Sequence, residues 1–174
     1  MTISLYDVSV PQYLQILSGV SGFLEKGLAF CRENKIDPES LIETRLFADM
    51  HPLRFQVQQA IHHSQDAIEA VKTGQFTIGA PGGPNASYAT LQALVGEARD
   101  VLQRVTPSEV NGRAGADVTF VAGERKMPFT AEGFILSFSL PNFFFHASTA
   151  YGILRSKGVP LGKRDFMGQL RIKR

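Results

Sequence analysis

The sequence predicts an all-α protein, a four-helix bundle with a small β-hairpin inserted between its third and fourth helices. Four long segments carry apolar residues spaced by three and four positions, as on one face of a helix. One segment instead resembles two short strands, and no linker separates a second domain. The 174 residues are enough for one domain with its own core. We place that domain at residues 1–168, followed by a basic tail at residues 169–174.

The first two helices are predicted from the helical spacing of their apolar residues. The first is expected over residues 11–34, with Pro11 in its first turn, where the missing N–H costs nothing. The second is expected over residues 52–72. The segment GQFTIGAPGGPNAS, residues 74–87, follows it and is dense in glycine and proline, which predicts an exposed loop.

A third helix and the hairpin come next along the chain. Ser87 or Asn85 is expected to cap the third helix, which runs to about Val105. The stretches 117–121 and 126–130 are β-prone and are separated by Ala-Gly-Glu-Arg, which favours a hairpin.

The fourth helix is expected from Ala131 to Lys157, ending at Gly158, with a kink at Pro141. It is apolar nearly all round, so it should be well covered by the bundle or should face another subunit. Residues 134–154 contain no charge and are long enough to span a bilayer. Their many polar side chains would be costly in lipid, so a buried helix is the better interpretation and no membrane partner is expected.

Composition narrows the function classes. With 44% hydrophobic and 20% charged residues, the chain has the composition of a globular protein. Cys31 is the only cysteine, which excludes an intrachain disulfide, and the N-terminus lacks the pattern of a signal peptide, so we expect a cytoplasmic protein. Net charge is +2 and no base-stacking motif is present, so nucleic acid is not an expected partner.

The candidate site lies on the fourth helix, around a lone histidine in the most apolar part of the chain. Asn142 and His146 are four residues apart, and Thr149 follows three residues later, so they share one side of the helix. We place a pocket there, lined by Asn142, Thr149 and Tyr151. His146 is either a core histidine bonded to a neighbour or a metal ligand.

A metal site would need partners for His146. His63 lies at the flank of the apolar stripe of the second helix and is the best-placed partner, so His63 and His146 are the candidate metal ligands. His62 should point toward solvent, and His51, about three helical turns before His63, is too distant. Two histidines fall short of the three ligands that a catalytic zinc site uses.

Other chemistries have less support. No glycine-rich phosphate loop precedes a helix, and Cys31 belongs to the apolar face of the first helix, which favours a buried structural thiol over a nucleophile. Carboxylates such as Asp66 look like ordinary solvated charges. No catalytic residue is assigned.

The segments SLYDVSVPQYL, LFADMHPLRFQVQQAIHHS and LPNFFFHASTAYGILRSKGVPLGKRDF resemble a bacterial family of unknown function. That family is placed with the DinB-like (DinB/YfiT) predicted metalloenzymes, and the resemblance covers residues 1–168. It implies a four-helix bundle, often dimeric, that binds a divalent metal such as zinc or nickel through one histidine on the second helix and an H-x-x-x-H pair on the fourth.

By position, His63 and His146 match two of those ligands, whereas the third position holds Ala150. Two functions therefore stay open. One is a metal-dependent or formerly metal-dependent enzyme with a pocket around His63 and His146. The other is a non-catalytic bundle, a homodimer or a small-ligand-binding protein.

The segment SKGVPLGKRDF after the fourth helix has two interpretations. Lys163, Arg164 and Asp165 either pack back on the bundle as a structural lock, by capping helix carbonyls or pairing with acidic residues, or they clamp an anionic substrate. We favour the lock.

Overall fold

A computed structural model describes residues 3–79 and 81–173, and these residues are mostly helical with one small sheet. The helices, π-helical turns included, are α1 (Leu5–Val8), α2 (Val10–Asn34), α3 (Glu39–Ile42), α4 (Leu53–Ile61), π1 (His62–Asp66), α5 (Ala67–Thr73), α6 (Tyr88–Arg104), α7 (Pro107–Asn111), α8 (Ala131–Gly133), π2 (Phe134–Ser139), α9 (Leu140–Ser156) and α10 (Lys163–Met167). The strands are β1 (Gln75–Thr77), β2 (Asp117–Ala122) and β3 (Arg125–Thr130).

The core lies between the long helices. Helix α4 packs against α9, while α2 packs against α6 and α9. Large side chains that are fully buried, among them Tyr13, Phe23, Phe134 and Phe143, fill the space between them. Burying a side chain of this size contributes about 2 kcal/mol or more, so these helices are held together by packing rather than by their own propensity.

Three predicted helix ends are confirmed. Pro11 lies in the first turn of α2, and the Ser87 hydroxyl accepts a hydrogen bond from the Thr90 N–H at the start of α6. Gly158, with φ of 90°, follows the end of α9, a left-handed conformation that glycine adopts without steric cost.

The sheet differs from the predicted hairpin by one strand. Strands β2 and β3 pair antiparallel, but β1 adds a parallel strand to β2, with Phe76 opposite Phe120. The prediction of an exposed loop over residues 74–87 was therefore wrong for Gln75–Thr77, where Phe76 is buried. Three residues are too few to leave a readable alternation in the sequence, and the pairing partner lies more than 40 residues away.

The second and fourth predicted helices each contain a π turn. In a π turn each hydrogen-bonded ring holds one residue more than in an α turn. The side chains after the turn therefore point in a different direction, relative to those before it, than in a regular helix of the same sequence. π2 ends just before Pro141, which lacks an N–H and would crowd the carbonyl of Ser137 in a regular helix. The two π turns are joined: the Tyr13 and Ser139 hydroxyls lie 2.6 Å apart, and Ser139 donates to the His63 carbonyl.

The C-terminal helix α10 packs against α2, in agreement with the structural lock. Lys26 of α2 pairs with Asp165 at 2.7 Å, and the Gln15 side chain donates to the carbonyl of Met167. Among the described residues, the ion pair of this segment joins the Asp165 carboxylate to Lys26, so the expected pairing of Lys163 and Arg164 with acidic residues is corrected.

None of the helices in the described part of the chain combines the length and the apolar character needed to cross a membrane.

Candidate functional site

A cavity of about 240 Å³ opens where α4 and π1 meet π2, α9 and the sheet. Its lining residues are Phe55, Gln59, His62, His63, Phe76, Ile78, Phe120, Phe138, Asn142 and His146. Most of the wall is aromatic, and the polar atoms come from three imidazoles and two amides. An apolar pocket with a few converging polar groups is the usual form of a small-molecule site.

The ring of His146 is oriented by a glutamine of α4. Its Nδ1 lies 2.8 Å from Oε1 of Gln56, and the amide nitrogen of Gln56 donates to the carbonyl of His51 at 3.0 Å. A backbone carbonyl only accepts, which fixes the glutamine with its oxygen toward His146. Nδ1 of His146 therefore carries the proton, and Nε2 is left with a free lone pair.

His63 faces His146 across the cavity. The two ring centroids are 5.8 Å apart and the ring planes differ by 12°. His63 is buried, and its Nδ1 is enclosed without a hydrogen-bond partner among the described residues. Its Nε2 has no hydrogen-bond partner there either and is not enclosed, so it keeps access to the cavity.

Burial keeps both of these histidines neutral. Loss of solvation lowers the pKa of His63 to about 3, helped by the neighbouring rings of His62 and His146. Loss of solvation also lowers the pKa of His146 to about 4, with a smaller contribution from His51. At neutral pH the cavity thus holds two uncharged imidazoles.

His62 is buried, so the expectation that it points toward solvent was wrong. Its Nδ1 lies 2.7 Å from the Asp66 carboxylate, its Nε2 donates to the Thr77 carbonyl at 2.8 Å, and its ring stacks on Phe76. Strand β1 therefore covers the side of π1 that carries His62. Asp66, expected to be an ordinary solvated charge, is the partner of this histidine.

The chain between β1 and α6 is fastened over the same region. The amide nitrogen of Gln59 donates to the Gly79 carbonyl at 2.7 Å, and that of Gln58 donates to the carbonyls of Pro81 and Gly83. A methyl group at Gly79 would lie 3.1 Å from the ring of His62, so glycine permits the close approach.

Of the three residues predicted to line the pocket, only one lies at the cavity. Asn142 lines the cavity, with its amide nitrogen donating to the Phe138 carbonyl. Thr149 and Tyr151 are not among the lining residues: the Thr149 hydroxyl bonds the Phe145 carbonyl of its own helix, and Tyr151 packs against Phe23 and Phe166. The expected pocket is corrected accordingly.

His51 reaches the site indirectly. Its ring stacks on Phe55 with centroids 3.9 Å apart, and Phe55 meets His146 edge-on at 5.9 Å. All four histidines of the chain therefore lie in one connected group of rings, although their spacing in the sequence indicates only His63 and His146 as neighbours.

Sequence reasoning missed the cavity walls and the glutamine behind His146. The available signal was the run QVQQ, residues 56–59, which places three glutamines within one turn of an otherwise apolar helix. All three are buried, and buried amides need specific partners.

The donor set does not fit the metal site implied by the resemblance. No three His, Cys, Asp or Glu side chains within residues 3–79 and 81–173 come together as metal ligands. Ala150, at the third ligand position, is buried in the core, and none of the described residues brings a carboxylate to the cavity. A metal-bound imidazole normally donates its second N–H to an acceptor, which His146 has in Gln56 but His63 lacks.

The fold defines the class: this is a DinB-like protein. The crystal structure of a DinB family member protein from Shewanella denitrificans matches it with a TM-score of 0.82 and 28% sequence identity, over 98% of this chain and 95% of that chain. Within this class, the chain belongs to the family described as Domain of unknown function (DUF1993), whose model matches residues 5–167. The resemblance drawn from the sequence is confirmed. No curated protein matches the chain.

Proposed function

We propose that this protein is a small-molecule-binding member of the DinB-like class, and that its ligand occupies the cavity between His63 and His146. The observation that carries the proposal is a pair of neutral imidazoles whose free nitrogens open on an aromatic cavity. A volume of about 240 Å³ suits a ligand smaller than the drug-sized molecules that usually fill protein pockets. We also propose that the four long helical segments form the bundle of this class, with the hairpin inserted before the last one.

Toluene is a suitable first probe because it tests the aromatic cavity without any polar contact. Titration of the isotope-labelled protein should shift the NMR signals of Phe76 and Phe138 in a saturable manner. Phe55→Ala, which removes a wall, should weaken binding, whereas Phe144→Ala, an identical change on α9 outside the cavity, should not. Absence of saturable binding of toluene and of its hydroxyl and carboxylate counterparts, phenol and benzoate, to the wild-type protein would reject the proposal.

The metal-dependent enzyme stays a prediction, and the donor set argues against it. Protein purified from medium supplemented with zinc and nickel should contain well below one metal ion per chain, because two imidazoles without a third protein ligand bind weakly. Elemental analysis of wild type and His146→Ala measures this. One equivalent of metal in the wild-type protein that is absent from the His146→Ala variant would instead support the metal-dependent enzyme.

A further inference from the structure

We infer that the cavity recognises a hydroxyl group on an aromatic ring, and that its ligand is a small phenol bound between His63 and His146. This inference rests on the proposed function and names the class of ligand.

The first step is the hydrogen-bonding role of His146. Gln56 is held by the His51 carbonyl, so its oxygen faces Nδ1 of His146 and must receive a proton from it. The other nitrogen, Nε2, is therefore an acceptor. It has no hydrogen-bond partner among the described residues and is not enclosed, so a ligand can reach it.

The second step is the role of His63. A buried N–H without an acceptor is among the rarest and costliest features of a folded protein, whereas a buried lone pair is tolerated more often. Nδ1 of His63 is enclosed without a partner, so the tautomer with its proton on Nε2 is favoured. His63 then offers a donor to the cavity.

The third step is the match between these groups and one oxygen atom. A hydroxyl accepts one hydrogen bond and donates another, each about 2.8 Å long. Nε2 of both rings is unbonded among the described residues, and the ring centroids are only 5.8 Å apart, so we assign both groups to one oxygen of the ligand. A metal ion would need two lone pairs, and would force the proton of His63 onto the nitrogen that has no acceptor.

The fourth step concerns the rest of the ligand. Four phenylalanines, Phe55, Phe76, Phe120 and Phe138, form most of the wall. Among the described lining residues none is Lys, Arg, Asp or Glu, and both ring nitrogens of His62 are occupied by the Asp66 carboxylate and the Thr77 carbonyl. A carboxylate would find no counter-ion and has no proton to donate to His146. An uncharged aromatic ring carrying one hydroxyl matches both the aromatic wall and the two free Nε2 atoms.

Calorimetric titration with phenol, toluene and benzoate tests the inference on the wild-type protein. Phenol and toluene have almost the same shape, so the difference between them measures the hydroxyl. We expect phenol to bind about tenfold more tightly than toluene, and benzoate not to bind. If toluene binds and phenol binds no more tightly, or if benzoate binds best, this inference fails while the proposed function stands. If none of the three binds, both fail.

Two further measurements examine the tautomers themselves. Long-range proton–nitrogen NMR spectra of the ligand-free protein should place the proton on Nδ1 of His146 and on Nε2 of His63, and the opposite tautomer of His63 would overturn the inference. His146→Phe should remove the preference for phenol but keep toluene binding, which verifies that the cavity is intact. The matched change His51→Phe, outside the lining, should leave the preference in place. Persistence of the preference in His146→Phe would also overturn the inference.

Discussion

Individual residues of the cavity set how this protein responds to acid. His63 and His146 are neutral in the folded state because burial lowers their pKa values to about 3 and about 4. In the unfolded chain a histidine titrates near 6.5, so the unfolded state binds more protons than the folded state between that value and the lowered ones. The stability that these two neutral histidines contribute is therefore fully present above about pH 6.5. It is lost as the pH falls from there toward their lowered pKa values.

The first prediction follows from this loss of stability at low pH. Between pH 7 and pH 5 the free energy of unfolding should fall by about 2 kcal/mol because of His63 alone, at 1.36 kcal/mol for each pH step below the unfolded pKa. Urea unfolding of wild type and of His63→Phe at both pH values measures the effect. The variant should lose less stability on acidification, and an equal loss in the two proteins would contradict the assignment.

At the scale of secondary-structure elements, a buried serine fastens the two π turns to each other and to α2. Ser139 of π2 makes hydrogen bonds of 2.6 Å both to the Tyr13 hydroxyl and to the carbonyl of His63 in π1. The backbone that presents His63 is thereby tied to the element that contains Phe138. These bonds are buried, so losing them leaves polar atoms without partners.

We predict that Ser139→Ala lowers the free energy of unfolding by about 2 kcal/mol, since both buried partners lose a hydrogen bond. Ser148→Ala is the matched control: Ser148 is exposed on α9 and its hydroxyl bonds only carbonyls of its own helix. That change should cost less than about 0.5 kcal/mol. Denaturant titrations compare the two, and similar costs would mean that the serine bridge contributes nothing specific.

Helix α10 lies so close to α2 that only glycine fits at the contact. A methyl group at Gly19 would overlap the Phe166 carbonyl oxygen, whereas a methyl group at Gly22 meets no atom within 4 Å. Gly19→Ala should therefore displace α10 and destabilise the fold by about 1–3 kcal/mol. Gly22→Ala should be neutral or stabilising by up to about 1 kcal/mol, because alanine favours a helix.

Thermal unfolding and limited proteolysis near residue 166 distinguish these outcomes. Faster cleavage in Gly19→Ala than in Gly22→Ala is expected. Equal protection of α10 in both variants would show that the close contact is not needed.

For the whole molecule, the sequence was informative where a pattern repeats over many residues. Long runs of apolar residues at helical spacing predicted the extents of α2 and α6, and cap chemistry at Ser87 and Gly158 predicted two helix ends. Such signals are local, and each is repeated or chemically specific. They are therefore readable without any knowledge of the tertiary structure.

The candidate site was less predictable because its geometry depends on contacts distant in sequence. The orientation of His62 depends on a three-residue strand that pairs with β2. It also depends on a π turn, which changes the side of the helix on which each residue lies. Tyr151 and Thr149 share the helix of His146, yet spacing alone cannot distinguish its cavity side from the side that packs on Phe166. His63 was found because it lies only two residues beyond Ile61, where the regular apolar stripe of α4 ends.

The homodimer expected from the resemblance stays a prediction, and exposed apolar side chains on the last long helical segment support it. Leu136 is 53% exposed and Phe144 is 37% exposed. Sedimentation at micromolar concentration should give a mass of about 38 kDa, twice the 19.1 kDa of one chain. Phe144→Lys should shift the protein toward the monomer, whereas Val101→Lys on α6 should not. A monomer at all concentrations would reject the dimer.

The π turn at His62–Asp66 has a consequence for how this site is encoded. Because its hydrogen-bonded ring holds one residue more than an α turn, it acts as a single-residue insertion in the helix. If the same residues formed a regular helix instead, every side chain after the turn would be rotated by about 100° relative to those before it. Helix α5 and the strand that follows it would then lose their present position relative to Gln56. The cavity therefore depends on this turn as well as on the identity of the residues, and a variant in which the turn becomes regular without loss of a residue should lose the cavity even if it keeps every histidine.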